Sequence, residues 1–285
     1  MGIEIQPDWA EKRKWWYSQT YILFEIVKQL ANKETALIEK KPPETERPAK
    51  VIRCINSATI DYLKANFEAF RFFTFPNYNI YFSLANYEMM PQFSFAPPER
   101  REQYNAWTGG EYKKHITGYD FGIDLDAEKI EEALKDAQHI HKLYDEYKIP
   151  HSVKYSGSKG FHIVVPYKYL PQFPIGKMVE MLGELASMMS KIDKLPTIDT
   201  TIFDDRRVFK VAYSWDRGRI VLPLDDCQLA KFDLSIVQPE YCQKAIQIKG
   251  RGLLTRHTDQ TPEQARVSFW KMASNFIEVK KWTGK

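Results

Sequence analysis

Six residues, Phe121-Gly122-Ile123-Asp124-Leu125-Asp126, constrain the fold of this chain more than any other stretch. Apolar side chains at 121, 123 and 125 alternate with Gly122, Asp124 and Asp126, the period of two of a strand with one face on a core. A helix over 127–148 is expected next, with Ile130, Ala133, Leu134, Ala137, Ile140, Tyr144 and Tyr147 on its inner stripe and Pro150 beyond its end. Residues 153–155 and 161–165 read as short strands around a polar loop, and 175–192 as a Met-rich apolar helix. Its Met178, Met181, Met188 and Met189 suit a core better than an interface. Strands are expected near 207–213 and 219–222, and a last helix over 262–281. Upstream, 9–31 and 57–69 read as helices, 72–84 as strands, and 40–48 and 91–101 as loops. Strands and helices interleave, so the class is α/β or α+β.

The 285 residues fit one large domain or a core with an appendage. With 44% hydrophobic and 14% aromatic residues there is enough apolar material for a buried core, which argues against disorder. Forty-one basic against 37 acidic residues leave +4, compatible with nucleic acid and equally with an ordinary soluble protein. Cys54, Cys227 and Cys242 are far apart and form no C-x-x-C pair, so neither a disulfide framework nor a structural zinc is expected. Asp8, Glu11, Lys12, Arg13 and Lys14 leave no signal-peptide core, and no apolar run reaches the ~18–20 residues that span a bilayer. The expectation is a soluble, cytoplasmic protein without a membrane partner.

Asp124 and Asp126 leave the same face of their strand, with Cα atoms ~7 Å apart at ~3.3 Å rise per residue. That separation lets two carboxylates share metal ions about 3.5–4 Å apart, the arrangement of in-line phosphoryl displacement. Asp126 could equally cap the following helix. Ser156-Gly157-Ser158-Lys159-Gly160-Phe161-His162 joins two strands. Its glycines allow positive φ and close approach of backbone N–H groups to an anion, Ser156 and Ser158 add hydroxyls, and Lys159 adds a point charge suited to phosphate. Phe161, Ile163 and Val165 share one face, so His162 points to the other. His139 and His141, two apart on a helix, do not face one another, and a helical metal pair is not expected. Asp199 is a candidate third acid, followed by Lys210, Arg217 and Arg219, which could instead be surface ion pairs.

These segments together resemble the small catalytic subunit of archaeal DNA primases, of the archaeo-eukaryotic primase superfamily. Ile80-Tyr81-Phe82-Ser83-Leu84-Ala85-Asn86-Tyr87-Glu88 is similar to that family's h-Y-x-S-h-A-x-Y-E segment. Residues 118–126 are similar to its G-x-[DE]-h-h-h-D-h-D block, and 156–162 to its S-G-x-x-G-x-H block. Lys33-Glu34 resembles its first R-E pair, and order and rough spacing agree over about residues 20–222.

The resemblance implies an RRM-like sheet beside an N-terminal αβ unit, with the active site between them. It implies that Asp124, Asp126 and Asp199 hold Mg²⁺ or Mn²⁺, and that Ser156, Lys159 and His162 contact the triphosphate of an NTP or dNTP. Ser158, Lys210, Arg217 and Arg219 join the same expected nucleotide site. The implied reaction is templated phosphodiester formation that starts and extends primers on single-stranded DNA, with a large regulatory subunit as partner. Residues 1–110 would be the N-terminal part, 111–230 the catalytic core and 231–285 a mostly helical end. The chain departs from the family pattern in lacking a zinc knuckle and in carrying Lys210, Ala212 and Asp216 where Arg, Pro and His are usual. The third acid could shift to Asp204 or Asp205. Readings that remain open are a repair or mobile-element primase-polymerase, a binding subunit without catalysis, and a metal-dependent phosphate hydrolase. A strip of Lys249, Gly250, Arg251, Gly252 and Arg256 is a further candidate for backbone contact.

Overall fold

The computed structural model describes residues 9–39, 51–53, 78–88, 90, 97–242 and 255–278. The helix expected over 57–69, the 40–48 loop, residues 72–77 of the expected strands and positions 249–252 lie outside them. Two compact units are present, each assembled from three separate segments. Among the described residues, no helix is long and apolar enough to cross a membrane.

The first unit takes Met1–Thr117, Val208–Val221 and Val237–Gly250. The helix expected over 9–31 is two helices, α1 (Trp9–Ser18) and α2 (Thr20–Leu30). The break sits at Gln19, whose backbone is extended. Ser18 Oγ and Gln19 Nε2 both donate to the Trp15 carbonyl, so side chains satisfy an acceptor that the next helical turn would have used. Strands β1 (Thr35–Glu39), β2 (Val51–Arg53) and β3 (Tyr78–Ser83) follow, then β4 (Ala85–Tyr87). A helix, α3 (Pro97–Thr108), occupies part of the stretch expected to be a loop. Proline is tolerated in a first helical turn, where its missing N–H costs nothing, so Pro97-Pro98 opens this helix instead of preventing it.

Strand β5 (Ile116–Tyr119) comes next in the chain, and strands β9 (Val208–Lys210), β10 (Trp215–Asp216) and β11 (Arg219–Ile220) return later to the first unit. Its main sheet is antiparallel in the order β2-β1-β3-β9. The 211–215 segment is clamped onto α1 and α2: Gln29 Nε2 donates to the Ala212 carbonyl, and Gln29 Oε1 accepts from the Ala212 amide. Trp16 Nε1 donates to the Tyr213 carbonyl, and the Trp215 amide donates to the Tyr17 hydroxyl. The motif residue Ser83 accepts the Glu34 amide and donates to the Ala85 carbonyl. Buried Lys33 donates to the Leu84 carbonyl, so these motif side chains hold β1, β3 and β4 together.

The second unit takes Gly118–Arg207, Leu222–Ile236 and Arg251–Lys285. In chain order it runs β6 (Phe121–Asp126), α4 (Ile130–Glu146), β7 (Ser152–Tyr155), β8 (Gly160–Val165) and α5 (Ile175–Ile192). An extended segment then pairs with β6 through the antiparallel bridge Leu125–Ile198. The sequence of elements is βαββαβ, and the spatial order, from the 197–199 segment, is fourth, first, third, second. That is the split βαβ arrangement of an RRM-like sheet. Phe121, Ile123, Leu125, Phe161, Ile163, Val165, Val153 and Tyr155 are all fully buried and share one face. Helix α4 packs on this sheet, burying Ala133, Ala137, Ile140 and Tyr144. Met178, Met181 and Met189 of α5 are buried, as their expected core role requires. Helix α6 (Asp226–Ala230) follows. Helix α7 (Pro262–Ala273) starts with a capping box between Thr261 and Gln264, and its Phe269 ring meets Phe121 edge-on at 6.0 Å.

Candidate active site

The face of the second unit's sheet opposite the helices carries the candidate residues. In the β6–β8 register Asp124 stands opposite His162 and Asp126 opposite Gly160, and in the β7–β8 register Lys154 stands opposite His162. On the other edge of β6 the Asp199 amide donates to the Asp124 carbonyl at 2.9 Å, and the Asp126 amide to the Thr197 carbonyl at 3.0 Å. Since residues directly opposite in an antiparallel pair project from one face, Lys154, His162, Asp124 and Asp199 form a continuous cross-strand row. Asp126 sits one step along the same face.

The distances within the row are short. His162 Nε2 lies 3.4 Å from Asp124 Oδ1. Lys154 and His162 are buried, while Asp124 is partly open to solvent. Asp199 caps the 3₁₀ turn Thr200–Ile202: its Oδ1 accepts the Thr201 amide at 2.9 Å and hydroxyl at 2.6 Å. Its Oδ2 lies 3.8 Å from Arg207 Nη2. Asp204 is turned to the Arg206 amide, and the backbone pairing with Asp124 belongs to Asp199. Asp126 does not cap α4, whose N-cap residue is Lys129 and has no side-chain capping bond.

The edge segment is set in place from the helical side. Asp136 of α4, buried, accepts both the amide and the hydroxyl of Thr197, at 3.1 and 2.8 Å. This pins residue 197 and thereby carries Asp199 to its place beside Asp124.

Gly157 and Gly160 do different things. Gly157 has φ +90, the left-handed geometry expected of the loop. Gly160 does not need positive φ; a Cβ there would lie 1.6 Å from the Leu125 carbonyl oxygen and 3.0 Å from Asp126 Oδ1. Its role is close approach of β8 to β6 and room for the Asp126 carboxylate. The loop is closed by the Ser156 amide donating to the Gly160 carbonyl and by the Tyr155 hydroxyl donating to the Ser158 carbonyl. Ser156 is buried, Ser158 half-buried and Lys159 exposed.

Lys210, Arg217 and Arg219 belong to the first unit. Lys210 is buried with its Nζ on Asp216 Oδ2, and Asn79 Nδ2 donates to Asp216 Oδ1 at 2.8 Å. A surface ion pair was one expectation for Lys210; the pair is instead a core feature. Arg217 (φ +52) and Gly218 (φ +77) form the two-residue turn between β10 and β11, of the type with both central φ angles positive. Arg217 is exposed and Arg219 stands opposite Asp216 across the hairpin. Arg256, expected on a basic surface strip, points inward: its Nε is on Asp226 Oδ1 and its Nη2 donates to the Leu224 carbonyl at 3.1 Å.

Lys154 was not singled out in the sequence, although a signal existed. Ser152 and Lys154 alternate with apolar Val153 and Tyr155, which places Lys154 in phase with the polar face. Also absent from expectation was a cluster of His141, Asp145 and His151. Among the described residues it is the one group of three metal-ligating side chains whose ligand atoms lie within 4.8 Å of one another. Asp124, Asp126 and Asp199 are not such a group, and Asp199 Oδ1 is held by its capping partner Thr201. The set nevertheless fits a hard divalent cation: it consists of oxygen donors, its backbones are adjacent, and Gly160 leaves room at Asp126.

Residues 107–210 match the model of a family described as LigD, primase-polymerase domain. No curated protein matches the chain. Among solved structures, the polymerase domain of Mycobacterium tuberculosis ligase D in complex with DNA aligns with a TM-score of 0.54 at 11% identity, covering 86% of this chain and 90% of that one. The primase RepB′ aligns at 0.38 and 11% identity, covering 81% and 68%. The archaeo-eukaryotic primase domain of the cyanophage S-2L primase-polymerase aligns at 0.37 and 13% identity, covering 80% and 96%. The family match over 107–210 spans the acid strand, the histidine loop and the third acid, and the ligase D polymerase domain shares the fold of this chain.

Proposed function

We propose that this protein is a DNA-dependent primase-polymerase that starts and extends primers on single-stranded DNA by divalent-metal-dependent nucleotidyl transfer. The observation that carries the reading is the convergence of Asp124, Asp126 and Asp199 on one sheet face, beside His162 and the 156–160 loop. The three carboxylates would hold Mg²⁺ or Mn²⁺, whose hard oxygen preference they match. Bound there, the ions would acidify the primer 3′-hydroxyl and neutralise the leaving pyrophosphate. Ser156, Ser158, Lys159 and His162 bind and orient the triphosphate of the incoming NTP or dNTP. Exposed Arg217 and half-buried Arg219 of the first unit, with Lys210, are further candidates for phosphate contact, as the resemblance to archaeal primases implies. A large regulatory subunit, implied by the resemblance to archaeal primase small subunits, is the proposed protein partner.

A second reading is favoured by the family match: a repair polymerase that fills gaps, as befits a domain of LigD type. One assay separates the two. Labelled nucleotide and Mn²⁺ are supplied with either bare single-stranded template or an annealed gapped duplex, to the natural chain and to Asp124→Ala/Asp126→Ala. Synthesis on bare template, lost in the variant, is the expected result. Synthesis on the gapped duplex alone selects the repair reading. No metal-dependent incorporation on either substrate overturns both. Copurification with a larger subunit under the same conditions tests the partner.

A further inference from the structure

We propose that the second unit carries a binding site for a zinc-class transition-metal ion on the helix-covered side of its sheet, with His141, Asp145 and His151 as ligands. The site is separate from the acid row and does not depend on the nucleotidyl-transfer reading. His141 and Asp145 are four apart on α4, so they share one helix face. His151 enters from the segment leading into β7, and its ring meets them with His141 Nδ1 at 2.9 Å from His151 Nε2.

The cluster turns its lone pairs towards one another. His151 Nδ1 lies 2.7 Å from the Ile149 carbonyl, which only accepts, so Nδ1 carries the proton and Nε2 of the neutral ring presents its lone pair. That lone pair is aimed at His141. On the far side of the same ring, His141 Nε2 lies 3.2 Å from Asp145 Oδ2 and 3.7 Å from Asp226 Oδ1. His141 is thus flanked by acceptors on both sides, which a doubly protonated ring satisfies and which a bound metal ion can also satisfy through their lone pairs.

The surroundings have the form of a metal site's outer shell. A ligating histidine usually donates its other N–H to a carbonyl or carboxylate, as His151 does to Ile149. The Asp145 carboxylate is oriented by His257, whose Nε2 lies 2.8 Å from Oδ1, leaving Oδ2 towards His141. His257 holds a left-handed backbone, φ +53, and the neighbouring Arg256 amide donates to the His151 carbonyl at 2.8 Å, which ties this segment to the cluster. Asp226 is engaged by Arg256 and is not counted as a ligand. At metal–nitrogen distances of about 2.0–2.1 Å, tetrahedral ligand atoms stand roughly 3.3 Å apart. The 2.9 Å between His141 Nδ1 and His151 Nε2 needs a small opening, and Asp145, now on the Nε2 side of the His141 ring, must turn to join them, all three ligand atoms lying within 4.8 Å. Two nitrogens and one carboxylate favour Zn²⁺, Co²⁺ or Ni²⁺ over Mg²⁺. The cluster borders a cavity of about 550 Å³ lined in part by Gln138, His141, Lys142, Asp145 and Asp226, with space for water.

The test uses the full chain stripped with a chelator and titrated with Co²⁺, followed by Zn²⁺. The expected result is one equivalent of Co²⁺ with a visible absorption band of tetrahedral type, displaced by Zn²⁺, and a melting temperature that rises with Zn²⁺. His141→Gln is expected to weaken Zn²⁺ binding at least 100-fold and Asp145→Asn at least 10-fold, both folding without metal. Asp124→Asn/Asp126→Asn is expected to bind Zn²⁺ like the natural chain. Absence of saturable binding overturns the proposal. So does equal affinity and equal thermal shift in the natural chain and His141→Gln.

Discussion

The amide of Asp199 donates to the carbonyl of Asp124 at 2.9 Å, and this one bond sets two acids from distant parts of the chain side by side on a sheet face. Asp136, on a helix behind the sheet, secures the arrangement by holding Thr197 through both its amide and its hydroxyl. The third acid's position therefore depends on a helix that contributes nothing to the polar face.

Asp199 has two separable roles, a charge and a cap. Asp199→Asn keeps an oxygen for the Thr201 amide and removes the charge. Loss of a charged group directed at a reacting centre costs roughly 10²–10³-fold in rate, so primer extension should fall by about that factor with little change in melting temperature. Asp199→Ala should in addition lower stability by about 1 kcal/mol through the lost cap, read by urea unfolding. Equal extension rates for Asp199→Asn and the natural chain would remove Asp199 from the catalytic set.

Gly160→Ala places a methyl group 1.6 Å from the Leu125 carbonyl oxygen, where backbone, not a flexible side chain, must give way. Overpacking of this kind costs about 1–3 kcal/mol or more. The variant should unfold at clearly lower urea, with β6 and β8 showing the greatest loss of amide protection from exchange.

Lys154 places a buried cation in the same cross-strand row as His162 and Asp124. Lys154→Met keeps the aliphatic stem and removes the charge. The expected outcome is a KM for nucleotide raised roughly 10-fold by loss of a charge-assisted contact, with a smaller change in kcat. An unchanged KM with a lowered melting temperature would make Lys154 a structural residue only.

Burial holds the His151 imidazole well below its ordinary pKa of 6.5, with nearby Arg256 and His141 acting in the same direction and the Ile149 carbonyl and Asp145 against it. The folded pKa is depressed, so the unfolded chain takes up this proton first as pH falls. Stability from this group is full above pH 6.5 and declines below it. For one proton the slope approaches about 1.4 kcal/mol per pH unit. Metal-stripped protein should show this decline in chemical unfolding between pH 6.5 and 5, and His151→Gln, if folded, a shallower one.

Lys210 and Asp216 are both buried, and removing one partner strands the other's charge. Lys210→Met should cost about 3–5 kcal/mol, and adding Asp216→Asn should recover part of it. A thermal melt of the three proteins checks the order.

Local pattern alone determined a good deal. The alternation at 121–126 specified both the strand and the face from which Asp124 and Asp126 project, and the apolar helix over 175–192 was readable to its ends. His162 likewise had to oppose the row of Phe161, Ile163 and Val165. Other features are settled between segments. Nothing near Asp199 says which strand edge it joins, and nothing near Lys154 says that β8 will set it opposite His162. His141 showed no partner at helical spacing to His139, because its partners are Asp145 one turn on and His151 beyond the helix end. Side-chain direction along one strand or helix follows from backbone geometry within a few residues. Register between strands follows from the burial of many side chains at once, and that is settled only when the whole sheet and its helices pack.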